Sequence, residues 1–207
     1  MATSRWTAAP ARTASPRRRG AVLEHAILDA ALEQLGTVGW KGLTMEGVAA
    51  EAQTGKAALY RRWPSKEDLV ADALVSGLPR LEAAPDLGNV REDLLALCRQ
   101  VRQIMFSRPG IALRAVIHEC DQLHTERFEG VIVGNVVEPT VELLRAVIMR
   151  GIGRGEVRSD AADGYVLDAV PAMMMYRSKM CGSEWSDREL EEMIDRLMLP
   201  LLRPYGA

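Results

Sequence analysis

Residues 43–69, which read LTMEGVAAEAQTGKAALYRRWPSKEDL, restrict the possible folds of this chain more than any other segment. Thr44 occupies an N-cap position ahead of apolar residues at helical spacing, which predicts a short helix. Gln53-Thr54-Gly55 interrupts that helix, and a second one starts at Lys56. Because proline cannot continue a helix, Pro64 ends the second helix after about two turns. The segment therefore predicts two short helices joined by a tight turn.

A third helix follows directly after the pair. Ser65 can cap it, and Asp68 stands at the third position of a capping box. The first short helix is rich in alanine, and small side chains let two helices cross closely. Its alanines are Ala49, Ala50 and Ala52. This is the helix-turn-helix arrangement, in which the second helix lies in the major groove of DNA.

The second short helix combines small, cationic and hydroxyl-bearing side chains around Leu59, which is expected to face the core. Arginine can form bidentate hydrogen bonds with guanine, alanine methyls can touch a thymine methyl, and lysine or tyrosine can hold phosphates. A solvated helix face would account for the charges but not for their clustering beside Tyr60 and Trp63. We therefore predict that double-stranded DNA is contacted by Thr44, Thr54, Lys56, Ala57, Ala58, Tyr60, Arg61, Arg62 and Lys66.

The run AALYRRWPSKEDLV resembles the recognition helix and following helix of the TetR family of bacterial transcriptional regulators, and residues 39–44 (GWKGLT) resemble the loop into its second helix. The resemblance implies an all-α fold, with an N-terminal three-helix helix-turn-helix domain and a larger helical C-terminal domain for ligand binding and dimerisation. It also implies a homodimeric repressor that leaves a palindromic DNA operator when a small-molecule effector binds. Gln53 stands where the family usually has glycine, and Gly55 where it usually has serine, so Gln53 is expected to adopt a left-handed conformation.

Charge is distributed unevenly along the chain, although the formal net charge is only −2. Residues 1–66 contain 10 Lys/Arg and 5 Asp/Glu, whereas residues 67–207 contain 16 and 23. The basic part carries the DNA-binding motif, as phosphate binding requires. Together with the resemblance, this predicts a disordered basic N-terminal arm at 1–19, a helix-turn-helix DNA-binding domain at 20–66, and an effector-binding and dimerisation domain at 67–207.

The predicted N-terminal arm ends in three consecutive arginines, Arg17, Arg18 and Arg19. Residues 1–16 lack apolar periodicity and are rich in Ala, Ser, Thr, Pro and Arg, a composition typical of disorder. The arginines then abut the first helix, which is predicted at about 21–37 and ends near Gly36 and Gly39. The arm is either a solubilising tail or, as in other helix-turn-helix proteins, an extension that reaches the minor groove of DNA.

The remainder of the chain is predicted to be helical, because no strand pattern competes with the helical spacing of its apolar residues. The helix that starts at Ser65 runs to about Leu78, and a loop follows. Asn89 and Ser186 occupy N-cap positions of later helices, and Glu189 completes a capping box. These later helices are predicted at about 89–108, 111–123, 126–152, 161–180 and 187–202, with Pro139 kinking or dividing the third of them.

The last two predicted helices are unusually apolar for the end of a chain. The core of a single chain could absorb much of this apolar surface. In the resembled family, however, the corresponding helices form a four-helix bundle between two protomers, and two-fold symmetry then places two recognition helices about 34 to 36 Å apart. We therefore predict a homodimer interface that contains Met173, Met180, Leu190, Ile194, Leu197 and Leu201.

The resemblance also implies an effector pocket among the helices between residues 89 and 180. Large methionine side chains there suit a lipophilic or variable ligand, although they could equally fill the core and the dimer seam. The candidate lining residues are Arg102, Met105, Arg114, His118 and Met174.

Other function classes receive little support. The sequence has no glycine-rich phosphate loop and no nucleophile elbow, so an enzyme is not expected, and neither is a cofactor. His118 and Asp121 share a helix face and could ligate a metal, which leaves a metal-dependent enzyme or sensor as an alternative. A second alternative function is that of an architectural protein, which binds DNA with little sequence preference. Three dispersed cysteines and the lack of a long apolar run predict a cytoplasmic protein without membrane segments.

Overall fold

The computed structural model describes residues 20–119 and 128–204 and leaves the side chain of His118 undescribed. Within these ranges all regular structure is helical, which confirms the predicted all-α fold. No helix in them is both long and apolar enough to cross a bilayer.

The first helix, α1 (Ala21–Gly42), is longer than predicted and bends at Gly39 rather than ending near Gly36. Gly39 has φ 70° and ψ −179°, a conformation that is essentially restricted to glycine. The backbone N–H of Leu43 donates to the Gly39 carbonyl over 3.1 Å and closes the bend. Gly36 has no such requirement, since it lies inside the helix with nothing near the position of a Cβ atom.

Three short helices follow: α2 (Met45–Glu51), α3 (Lys56–Tyr60) and α4 (Lys66–Gly77). The two predicted caps are present, because the hydroxyls of Thr44 and Ser65 accept hydrogen bonds from the N–H groups of Gly47 and Asp68, each over 3.1 Å. Helix α3 is shorter than predicted. The chain turns after Tyr60 and brings Trp63 into the core, instead of remaining helical up to Pro64.

The C-terminal helices mostly match the predicted ones, with shifted ends. Asn89 caps α5 as predicted, accepting from the N–H of Glu92, and Ser186 and Glu189 form the predicted capping box. Helix α8 starts later than predicted because Asp163 caps it. The helices are α5 (Val90–Met105), α6 (Arg108–Glu119), α7 (residues 128–132, a π-helical turn at Val133–Val137, then Glu138–Gly153), α8 (Gly164–Cys181) and α9 (Asp187–Met193, a π-helical turn at Ile194–Met198, then Leu199–Leu202).

Two prolines account for the π-helical turns. Pro139 and Pro200 each stand second in the α-helical piece that follows such a turn. Proline lacks an N–H group, and its ring would press on the carbonyl four residues earlier, so the preceding turn widens. Pro139, which was predicted to kink or divide the helix, thus coincides with a change of helix type within a continuous helix. Pro109 is tolerated because it lies in the first turn of α6.

The buried side chains form two cores. The first contains Ile27, Leu35, Val48, Leu59, Trp63 and Leu69 of α1–α4, and it continues into α6 through Leu113 and Val116 and into α7 through Phe128. The second joins α5, α7, α8 and α9 around Leu94, Leu144, Leu167, Trp185 and Leu190. Helix α6 therefore packs with the N-terminal helices, and the domain boundary at residues 66 and 67 stays a prediction.

Gly39 and Gly36 offer a matched test of the bend in α1. Gly39→Ala should lower the free energy of unfolding by about 1 to 3 kcal/mol, because alanine is strained at this φ and ψ. Its Cβ would also lie 2.6 Å from Oε1 of Glu119. Gly36→Ala should raise the free energy by about 0.5 to 1 kcal/mol, since it removes a glycine from an ordinary helical position. Urea denaturation followed by circular dichroism measures both, and equal stability of the two variants would contradict this account.

Candidate nucleic-acid interface

The N-terminal ends of α2 and α3 present most of the predicted DNA-binding residues on the surface. Lys56, Ala57 and Tyr60 of α3 are exposed, as are Arg61 directly after it and Thr44 before α2, while Leu59 is fully buried. Thr54 and Ala58 are partly exposed. The burial of one side of so short a helix leaves its other sides free for a groove of DNA.

The turn between α2 and α3 has the conformation expected from its unusual sequence. Gln53 has φ 54°, so a residue other than glycine adopts the left-handed conformation there. The N–H of Thr54 donates to the carbonyl of Ala49 over 2.9 Å, which closes the turn. Gly55 is the N-cap of α3 and offers no side chain to its free N–H groups. Those groups are therefore open to another acceptor, such as a phosphate.

Glu46 is a carboxylate on this surface that the sequence-based prediction missed. Its Oε1 lies 2.9 Å from Nζ of Lys56, and the side chains are 51% and 61% exposed. The hydrogen bond from Lys56 lowers the pKa of Glu46, so the carboxylate stays ionised to a more acidic pH than an ordinary glutamate does. Glu46 lies in the first turn of α2, and no local sequence pattern links it with a residue ten positions later.

Arg61 and Arg62 differ in their surroundings, although both were expected on exposed faces. No described carboxylate pairs with Arg61. The Arg62 side chain is only 25% exposed, and its Nε lies 3.9 Å from Oε2 of Glu24 on α1. Its Nη1 is buried and has no hydrogen-bond partner in the described chain. Arg62 therefore packs between α3 and α1, and Arg61 is the better placed of the two to reach a base.

Lys66 and Trp63 hold the start of α4 against its neighbours. Nζ of Lys66 donates to the carbonyl of Trp40 over 3.0 Å and lies 4.2 Å from the centroid of the Trp40 ring. The indole N–H of Trp63 donates to Oδ2 of Asp72 over 2.8 Å. Lys66 thus has a structural partner in addition to the predicted phosphate, and Trp63 belongs to the core.

The bend at Gly39 is held from the C-terminal side of the molecule. The N–H of Lys41 donates to Oε2 of Glu119, the last residue of α6, over 3.0 Å. The ring of Phe128, at the start of α7, meets the Trp40 ring edge-on, with centroids 5.2 Å apart and an interplanar angle of 78°. We call residues Gly39, Trp40 and Lys41 the corner. It connects the helix-turn-helix to both ends of the segment 120–127.

Two of the candidate effector residues, Arg102 and Arg114, have partners within the described part of the chain. Nη1 of Arg102 lies 2.7 Å from the Trp185 carbonyl and 2.7 Å from Oδ1 of Asp187, and Arg114 stacks on the ring of Phe106. Met105 is partly buried and Met174 is fully buried in the second core, and their assignment as ligand contacts stays a prediction. An open groove of about 840 Å³ lies elsewhere, lined by α1, the end of α2 and Arg108.

The predicted dimer residues divide into core and surface. Leu190 and Ile194 are buried within the protomer's own second core, so their assignment to an interface is wrong. Met173 and Leu197 are partly buried, whereas Met180 and Leu201 are exposed. Helix α8 also exposes three large apolar side chains that the prediction left out: Tyr165, at 93% exposure, Met175 and Tyr176. Helical spacing could have identified them, since it puts them on the side of α8 opposite the buried Val166, Val170 and Met174.

Several predicted residues lie outside the described ranges. Arg17, Arg18 and Arg19 precede the described part of the chain, and so does the rest of the arm. Asp121 lies between the two described ranges, so the alternative metal site at His118 and Asp121 falls outside the described residues. In the described residues, no three side chains of His, Cys, Asp or Glu group as metal ligands would.

Comparison with known proteins identifies relatives over most of the chain. A family model described as bacterial regulatory proteins, tetR family, matches residues 27–73, and one described as tetracyclin repressor-like, C-terminal domain, matches residues 84–197. A helix-turn-helix transcriptional regulator of Mycobacterium tuberculosis, itself uncharacterised, is 31% identical over 183 residues, which are 86% of this chain and 87% of the relative.

Two further similarities are relevant. The DNA-binding transcriptional repressor TetR of Mycobacteroides abscessus is 28% identical over 187 residues, 90% of this chain and 97% of the relative. Among solved structures, that of the flavonoid-responsive regulator FrrA has the same fold, with a TM-score of 0.62 at 21% identity over 90% of this chain and all of the other.

Proposed function

Because the chain belongs to the TetR family of bacterial regulatory proteins, we propose that it is a repressor that binds a palindromic operator as a homodimer and releases it when a small molecule binds. As a family member it is a helix-turn-helix transcriptional regulator and not an enzyme. The observation that carries the proposal is the surface of α3 and its flanks, where Lys56, Ala57, Tyr60 and Arg61 are exposed around a buried Leu59. The related repressor of Mycobacteroides abscessus supports the sign of regulation.

The exposed side chains have complementary roles in this proposal. Arg61 is exposed and free of a described carboxylate, so it can make the bidentate contact that reads guanine. The hydroxyl of Tyr60 and the ammonium of Lys56 can reach phosphates on either side, and the N–H groups at the start of α3 can receive another. Lys66 contributes mainly by holding α4 to Trp40. Arg17, Arg18 and Arg19 are proposed to extend the contact into the minor groove.

A homodimer gives the protein two such surfaces. We propose that the exposed side chains of α8 and the end of α9 form the interface, with Met180 and Leu201 from the sequence-based set and Met175 and Tyr176 added to it. Apolar side chains exposed together along a helix are typical of a surface that another chain covers. A two-fold axis there would place the recognition helices about one DNA turn apart.

The corner provides a route from an effector to the DNA-binding surface. Glu119 and Phe128 flank the segment 120–127, and both contact the corner, which in turn holds Lys66 at the start of α4. A ligand that binds a form with α6 or α7 displaced would shift these contacts and change the separation of the two recognition helices. The flavonoid-responsive regulator of the same fold supports a small-molecule effector.

The proposed function is tested by selecting bound DNA from a random pool and repeating the selection with a metabolite library. Enrichment of a palindrome, and its loss with one class of compound, is the expected result. Enrichment of no sequence would favour a sequence-tolerant architectural protein instead. A palindrome that no compound releases would remove the effector from the proposal.

Two variants of the recognition helix should separate base reading from phosphate binding. Arg61→Ala should reduce discrimination at one base pair of each half-site by roughly ten- to a hundredfold, since it removes a bidentate base contact. Tyr60→Phe removes one hydroxyl and should weaken binding to all sequences alike. Fluorescence anisotropy on the operator and its single-base variants measures both effects. Arg188→Ala, at an exposed arginine of α9, is the control. Uniform loss for Arg61→Ala would contradict its role.

The dimer interface can be tested with charges placed on exposed apolar residues. Met180→Glu combined with Leu201→Glu should convert the dimer to a monomer at micromolar concentration, because burying two unpaired carboxylates from each protomer is strongly unfavourable. Leu87→Glu, in the loop before α5, is a control of similar exposure, at 61% against 66% for Met180. Sedimentation velocity gives the dissociation constants. An unchanged dimer in the double variant would place the interface elsewhere.

The coupling role of the corner predicts an effect of Glu119 on DNA binding without any DNA contact. Glu119→Ala removes the acceptor of the Lys41 N–H and should weaken operator binding by roughly three- to tenfold, because the position of the helix-turn-helix becomes less fixed. Binding to random DNA should change little. Glu138→Ala removes the same charge at an exposed position of α7 and serves as control. If Glu119→Ala binds the operator like the wild type, the corner does not couple the two parts.

A further inference from the structure

The ion pair between Glu46 and Lys56 places a negative charge within the surface proposed to bind DNA. The two atoms are 2.9 Å apart, and both side chains are more than half exposed. Glu46 projects from the first turn of α2, two residues after Thr44, and its partner opens α3. The Glu46 carboxylate is exposed on the same surface as the residues predicted to contact bases and phosphates, so bound DNA would lie close to it.

Protein stability does not account for this arrangement. An exposed pair of this kind contributes little, because both ions are already well solvated and ordering two long side chains costs entropy. A carboxylate in the first turn of a helix is favourable, but that effect needs no partner on α3. In DNA binding, by contrast, the carboxylate is unfavourable, since it is repelled by phosphates and competes with them for the ammonium of Lys56.

That unfavourable effect can be offset at a site that offers a hydrogen-bond donor. In the major groove the amino group of cytosine is such a donor, and glutamate is the side chain suited to accept from it. We propose that Glu46 is a specificity-determining residue, which accepts a hydrogen bond from the N4 amino group of a cytosine in each operator half-site and disfavours DNA that lacks it there. The inference rests on the proposed function as an operator-binding regulator.

Lys56 has two roles in this scheme. In the free protein its Nζ holds the Glu46 carboxylate in place, which reduces the freedom that the side chain would lose on binding. On the operator, the ammonium can keep that contact with one N–H and turn another toward a phosphate, since it carries three donors. On other DNA, the carboxylate has no donor from a base. Specificity then comes from rejection of wrong sites as well as from attraction to the right one.

The experiment compares sequence selection by the wild type, Glu46→Gln and Glu46→Ala, using the full-length chain and a random DNA pool. The wild type should select cytosine at one position of each half-site. Glu46→Gln should select adenine there, because an amide can both donate to and accept from that base. Glu46→Ala should lose the preference, by roughly ten- to a hundredfold, and should bind random DNA more tightly than the wild type. Because the pair is exposed, circular dichroism should show both variants folded.

Glu51 provides the matched control, since it is an exposed glutamate at the other end of α2 and Glu51→Gln removes the same charge. That variant should select the wild-type sequence. If both Glu46 variants select the wild-type sequence as well, the inference is overturned while the proposed function stands. A wild type that enriches no sequence would overturn the proposed function itself. An equal gain in random-DNA affinity for the Glu46 and Glu51 variants, with no change of base preference, would reduce Glu46 to a general charge and also overturn the inference.

Discussion

The corner at Gly39, Trp40 and Lys41 is the contact on which the rest of the arrangement depends. A backbone conformation restricted to glycine turns the chain out of α1, and Glu119 accepts from the N–H group that this turn exposes. The Trp40 ring then contacts both the ammonium of Lys66 and the ring of Phe128. One residue thereby joins the start of α4 to the start of α7. The orientation of α2 and α3 follows from that junction, because they lie between α1 and α4 in the chain.

The local parts of the structure could be predicted because they depend on a few neighbouring residues. The caps at Thr44, Ser65, Asn89 and Ser186 are all present, and Gln53 adopts the left-handed conformation expected from its position in the turn. These features require only a side-chain acceptor within three residues of an N–H group, or a tight turn. The helix-turn-helix could therefore be predicted from the sequence.

The parts that could not be predicted depend on contacts between distant residues. Leu190 and Ile194 are large and apolar, as residues of a dimer interface are. Only the packing of α9 against α5 and α8 shows that they are buried within one chain. The ion pair of Glu46 with Lys56 joins two helices, and the engagement of Arg102 with Trp185 spans 83 residues. Helix periodicity identifies the apolar face but not the partner that covers it.

The division into two cores has a consequence for protein engineering. Helix α6 and Phe128 belong to the core of the N-terminal helices, although the chain returns to them only after α5. The physical unit that carries the DNA-binding surface is thus discontinuous in sequence. A chimera that grafted residues 20–78 alone onto another regulator would expose the apolar faces of α1 and α4 that α6 covers. Exchange of DNA specificity between such proteins is therefore better attempted by substituting the exposed side chains of α2 and α3 than by exchanging the whole unit.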